Sequence, residues 1–194
     1  LDPANQTFLQ DFCDGLQPFI RAGLVNSLTQ TVIKLAAPGV PDIYQGSEAL
    51  NFSLVDPDNR REPAFDTLER MLEEHELPNF SREENWLSGQ VKQRVIAYVL
   101  RLRQQKPALF RRGDYVPLAA TGKRADNVIA FARVQDDDAL IVIAPRLVFG
   151  VLHGGLELPH TELWTATEIP LPERLAHGRY RDMLSGKEIV LTDR

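Results

Sequence analysis

The sequence predicts an α/β segment followed by an all-β region, with the change near residue 110. Three observations predict it. Apolar residues recur every three or four positions before that point, and a short apolar run bounded by glycine and proline interrupts them at Gly39–Gly46. After residue 110 the texture turns to short alternating or β-branched runs. At 194 residues the chain suits one or two domains, and the expected division is 1–110 and 111–194.

Phe8, Phe12 and Leu16, then Leu24, Leu28, Val32 and Leu35, mark a helical face. Pro18 and Gly23 are expected to split it. The second piece, about 24–36, should stop before Pro38, because a residue preceding proline is pushed out of the α region. Gly39–Gly46 reads as one buried strand between sharp turns, and a helix leading straight into it makes an α/β unit. After a polar loop through Arg61, Pro63 opens a helix with the face Phe65, Leu68, Met71 and Leu72. A further helix over 89–105 carries Val91, Val95, Val99 and Leu102 and ends before Pro107. Strands are expected over 115–119, 127–133, 139–145, 163–171, 180–184 and 187–191, with turns at Asp136–Asp138 and Ser185–Gly186, and an antiparallel β-sandwich is their natural arrangement.

Composition excludes several functions. The net charge is −5 and the basic residues form no stripe, so nucleic acid is not an expected partner. The longest apolar runs fall far short of the roughly 20 residues that cross a bilayer, so no membrane partner is expected either. One cysteine, Cys13, allows no internal disulfide, and with no leader pattern at the start a cytoplasmic location is expected. His75, in Glu73-Glu74-His75-Glu76, lacks zinc-helix spacing, and His153, His160 and His177 are scattered among turns, so neither a metal nor any cofactor is expected. Trp86 and Trp164 read as packing residues. Leu1 opens in a helical pattern without a Met, so further sequence is expected upstream.

The informative stretch is Gly39–Glu48 followed by Ser53–Arg61. The first part ends an expected strand in polar residues, the place where barrels of alternating strands and helices meet ligands. The second offers two carboxylates, an amide and two guanidinium groups in Asp56, Asp58, Asn59, Arg60 and Arg61, which can hydrogen-bond sugar hydroxyls bidentately. Those side chains could equally form a solvated loop that caps the helix near Pro63, and Tyr44 could equally pack in a core.

The runs Asn26-Ser27-Leu28, Gln30-Thr31, Lys34-Leu35, 37–46 and 53–61 resemble the maltooligosyl trehalose synthase family. The wider α-amylase clan of glycoside hydrolases shares a looser pattern at its last barrel strand, matched here by Gly39, Pro41, Ile43, Tyr44, Gly46 and Glu48. The forms Pro41–Gly46 and Asp56–Arg61 single out the trehalose-forming branch. The likeness extends into 109–115, 127–133 and 141–146. It departs at Ala49–Phe52, where the family has a Trp-containing sequence, and at Glu62, where it has Arg before the proline.

The resemblance implies the C-terminal portion of a (β/α)8 TIM barrel, its last strand and flanking helices, followed by a β domain. It implies a maltooligosaccharide substrate and an intramolecular transfer that turns the reducing-end α-1,4 linkage into an α,α-1,1 linkage. The implied substrate-binding set is Asp42, Tyr44, Gln45, Glu48, Asp56, Asp58, Asn59, Arg60 and Arg61. The family's three catalytic carboxylates lie on earlier strands, so no catalytic residue carries over, and this piece alone is expected to be inactive. A full barrel takes at least about 200 residues, which agrees. Its exposed barrel surface is expected to drive artificial association. The alternatives are another α-amylase-clan glucosidase or transglucosidase, and a non-catalytic glucan-binding or docking β module.

Overall fold

A computed structural model describes residues 5–53, 62–73, 80, 82–152 and 161–191. Helix α1 spans Gln6–Ala36 without interruption. Asn5 caps it, its side-chain oxygen accepting from the Phe8 N–H at 3.1 Å, and Lys34 lies in the last turn, where the helix dipole favours a cation. The expected break at Pro18 and Gly23 is therefore not present. Pro18 removes one backbone hydrogen bond, but it sits in the exposed half of the helix, where water can satisfy the freed carbonyl.

Helix α1 has two different halves. Phe8, Phe12, Phe19 and Ile20 are exposed, whereas Ala22, Leu24, Val25, Leu35 and Ala36 are buried. The buried half packs on α4, which spans Gln90–Gln105 and has its buried face at Val91, Val95 and Ile96. Helices α2 (Phe65–Glu73) and α3 (Glu83–Leu87) precede α4, and α5 (Pro107–Arg112) follows it with Pro107 in its first turn. Trp86 is buried beside Ala22, Leu24, Val25, Val91 and Val148, and its indole N–H donates to the Phe80 carbonyl at 2.9 Å, so it packs as expected.

Strands β1 (Asp114–Leu118), β3 (Val128–Gln135) and β4 (Asp138–Pro145) form an antiparallel sheet in the order β1-β3-β4. The β3–β4 hairpin closes at Gln135 opposite Asp138, and Asp136 takes the left-handed conformation that a two-residue turn requires. Short β2 (Thr121–Gly122) pairs with β5 (Thr167–Glu168), and after α6 (Glu173–Ala176) strand β6 (Gly178–Arg181) pairs with β7 (Glu188–Leu191).

The period of two along β3 decides the layers. Ala130, Ala132 and Val134 face Ile169, Leu171 and Leu175, whereas Phe131 faces Val32, Ile33 and Ala36 of α1. The antiparallel pairing thus matches the expectation, but the larger sheet is covered by helices on one side and by the 169–175 segment on the other, in place of a second broad sheet. The expected strand over 163–171 shrinks to Thr167–Glu168, because Pro170 and Pro172 offer no N–H to a ladder.

Arg133 ties the helices to the sheet. It is 2% exposed, and its guanidinium donates to the carbonyls of Ala36 (3.3 Å), Phe110 (3.0 Å) and Gly113 (2.9 Å). These carbonyls lie at or just beyond the C-terminal ends of α1 and α5, where helix carbonyls lack internal partners and the dipole is negative. Burial lowers the Arg133 pKa from its usual value.

Candidate functional site

The segment that follows α1 was expected to be a buried strand over Gly39–Gly46. It has no ladder partner among the described residues, and Val40 is 95% exposed. A buried parallel strand needs strands on its flanks, and the described sheets are all antiparallel and lie elsewhere. The segment instead runs as irregular backbone to a turn at Tyr44–Ser47, where the Ser47 N–H and hydroxyl both donate to the Tyr44 carbonyl, at 3.0 and 2.6 Å.

This shape groups three of the expected sugar-contacting residues on one exposed stretch. Asp42, Tyr44 and Gln45 all project outward, with Tyr44 59% exposed, and no described hydrogen bond occupies their side chains. Glu48 is half-buried, and its Oε2 is enclosed without a hydrogen-bond partner among the described residues. The other five members of the set, Asp56, Asp58, Asn59, Arg60 and Arg61, lie outside the described residues.

Two cations of α4 hold the segment. Arg103 donates to the Leu35 carbonyl at 2.6 Å and the Gly39 carbonyl at 3.0 Å, and its guanidinium lies 4.7 Å from the centre of the Phe110 ring. Lys92 donates through Nζ to the carbonyls of Ser47 (2.8 Å) and Ala49 (2.9 Å). Burial lowers the Lys92 pKa, repulsion from Lys34 lowers it further, and attraction to Glu48 offsets part of the shift. Gly89, at the start of α4, has φ +80°, and a Cβ there would come within 2.6 Å of the Leu50 nitrogen and 2.9 Å of the Ala49 Cβ. Only glycine allows so close an approach.

Neither Lys92 nor Arg103 was singled out from the sequence. The available signal was their spacing: eleven residues is close to three helical turns, which places both on one face of α4.

A cleft of about 670 Å³ lies elsewhere, between α4, β4 and the β6–β7 hairpin. It is lined largely by apolar side chains such as Val99, Leu102, Ile141, Ile143, Leu171 and Ile189, and it holds none of the expected site residues. Among the described residues no group of three or more His, Cys, Asp or Glu side chains could hold a metal ion, and no helix is long and apolar enough to cross a membrane.

No family model matches the chain. Two Mycobacterium tuberculosis proteins provisionally named maltooligosyl trehalose synthase are 37% identical to it over 161 residues, which is 83% of this chain and 17% of theirs. The solved maltooligosyltrehalose synthase of Arthrobacter ramosus superposes with a TM-score of 0.71 at 31% identity, covering 98% of this chain and 22% of that one. Another solved structure, of a maltooligosyl trehalose synthase at 24% identity, has a TM-score of 0.67 over 96% of this chain and shares the fold. The chain thus spans about a fifth of the length of the proteins it matches. By sequence and by fold together, it belongs to the maltooligosyl trehalose synthase family.

Proposed function

We propose that this chain is the C-terminal part of an intramolecular transglucosylase of the α-amylase clan, acting in the cytoplasm on maltooligosaccharides in trehalose biosynthesis. The observation that carries the reading is the outward stretch at Asp42, Tyr44 and Gln45, held by α4 in a chain homologous to maltooligosyl trehalose synthases. In this reading residues 1–110 complete a (β/α)8 barrel, with Gly39–Gly46 as its last strand once neighbours flank it, and residues 111–194 form the C-terminal β domain.

The reaction breaks the α-1,4 bond to the reducing-end glucose and forms an α,α-1,1 bond to the same glucose, so the product is an isomer of the substrate. A retaining enzyme does this with one carboxylate as nucleophile and another as acid, then base. Those groups belong to other parts of the barrel. The role of this chain is to bind and orient: Tyr44 and Gln45 contact the sugar, Asp42 and Glu48 accept from hydroxyls or fix neighbouring side chains, and Asp56, Asp58, Asn59, Arg60 and Arg61 line the pocket near the cleavage point. By excluding water they favour transfer over hydrolysis. Alone, the chain is inactive, and its exposed Phe8, Phe12, Val40 and Phe52 give isolated copies a surface through which to associate.

The test is to incubate maltopentaose with the chain alone and with a chimera in which it replaces the matching stretch of the Arthrobacter ramosus enzyme. The chimera is expected to remove reducing ends without releasing glucose, and the chain alone to do nothing. Release of reducing sugar by the chimera would mark a hydrolase, and activity of the isolated chain would end the claim that its partners in catalysis lie elsewhere.

A further inference from the structure

We infer that a further strand, drawn from the part of the same enzyme that lies outside this chain, seats on the free edge of β4, in the apolar cleft beside the β6–β7 hairpin. The inference rests on the reading that the chain is part of a longer enzyme, and it is independent of where the sugar binds.

The cleft is a slot along a sheet edge. All six consecutive residues Asp138–Ile143 line it, although alternate side chains of a strand point to opposite faces, so the cleft meets β4 from the side. Its walls are the two layers that cover the sheet: Val32 and Ala36 of α1 with Leu102 of α4 on one side, Ile169 and Leu171 on the other. These layers reach past the last strand and leave about 670 Å³ between them. Neighbouring strands lie about 4.8 Å apart, so a strand added to β4 falls inside the slot.

The backbone offers the matching bonds. Among the described residues β4 pairs with β3 alone. The Arg146 N–H donates to the Asn127 carbonyl at 2.8 Å, and the register runs on from there without a bulge to Gln135 opposite Asp138. Bonded and non-bonded pairs alternate along an antiparallel ladder. Leu140, Val142 and Ala144 therefore bond to β3, and Ala139, Ile141 and Ile143 turn their N–H and C=O groups to the open side. Nothing over 139–143 protects that edge, since it holds neither a charge nor a proline, and Ile143 is 60% exposed.

The occupant follows from this chemistry. A small apolar molecule would cover the outward amides without bonding them, whereas an extended peptide meets each at the repeat of the strand itself. With apolar layers on both sides, the added strand is a continuous apolar run, not an alternating one. The relatives are about five times as long as this chain, so the same enzyme has polypeptide to supply, and β7 carries Leu191 into the lining of the slot.

Amide hydrogen exchange in the isolated chain and in the chimera decides the matter. The Ala139, Ile141 and Ile143 amides are expected to exchange at least about a hundredfold more slowly in the chimera, whereas those of Leu140 and Val142 are protected in both. Equal exchange in the two proteins overturns the inference. Exchange in the isolated chain that slows as its concentration rises gives the edge to a second copy and overturns the choice of occupant. I143P removes one outward N–H, a change that edge strands tolerate, and I143A removes only side chain. In the chimera I143P is expected to lower the melting temperature by about 4 °C more than I143A does, with no such gap in the isolated chain. Equal melts of the two chimeric variants would reveal a side-chain contact in place of a strand and overturn the inference. Protected amides in a chimera that leaves maltopentaose unchanged uphold the added strand without the proposed activity, and fast amides in an active chimera do the reverse.

Discussion

Among the described residues, two places use a cation to gather backbone carbonyls, and they differ in what surrounds them. At Arg133 the carbonyls sit at helix ends, the guanidinium is buried, and the chain itself supplies the surroundings. At Lys92 and Arg103 the carbonyls include those of an irregular segment whose outer face is bare. The contrast shows that fixing backbone shape and burying side chains are separate tasks. On the proposed reading, a surface that meets a sugar needs the first without the second, whereas a structural junction needs both.

The sharpest way to break this comparison is at the junction. R133M leaves at least three carbonyls around a buried site without their donor and is expected to cost about 3 kcal/mol. For a chain of this size that lowers the melting temperature by about 6–12 °C in a thermal scan. R133K should recover only part of the loss, because an ammonium cannot fork as a guanidinium does. An unaltered melt for R133M would show that the helices and sheet do not depend on it.

G89A acts on the other side of the contrast. Its methyl group would collide with Leu50 and Ala49 in a backbone conformation that disfavours any side chain. A loss of about 1–2 kcal/mol is expected, with amide signals of residues 46–50 shifted and those of β3 in place. Movement in β3 but not in 46–50 would reverse the assignment of which element leans on Gly89.

The smallest effect belongs to the β6–β7 turn. Burial pushes the Asp182 carboxyl up, but hydrogen bonds from the Ser185 hydroxyl and the Leu184 and Ser185 amides, with the charge of Lys187, bring it below the usual carboxylate value. A depressed carboxylate stabilises the fold above its unfolded pKa, and that contribution fades as pH falls through the folded pKa. Acid titration followed at the Leu184 amide should show this loss, a small one for so accessible a group, and D182N should abolish the titration.

Much of the body was legible in the sequence because its signals are local. The face Val91, Val95 and Val99 closing before Pro107 placed α4 within a residue of its observed start, and the β-branched runs around Asp136–Asp138 gave the β3–β4 hairpin. What was not legible depends on distant partners. An arginine within an apolar strand carries no mark that a helix end 97 residues away will receive it. Gly39–Gly46 has the composition of a buried strand, but a strand is made by its neighbours, and among the described residues none are there. Asp42, Tyr44 and Gln45 were picked by residue type as proposed sugar contacts, whereas Lys92 and Arg103, which hold the backbone of that segment, were hidden in an ordinary amphipathic helix.

Helix α1 carries one further consequence, for the way the molecule comes apart. Its first half makes helical hydrogen bonds but buries little, and a helix of that length is marginal in water on its own. Pro18 omits the bond that would link one turn to the next at the edge of this half. Melting of the first fifteen or so residues is therefore thermodynamically loosely coupled to melting of the body, so helical signal should begin to fall before the core opens, and a single enthalpy fitted to the whole curve would describe neither process.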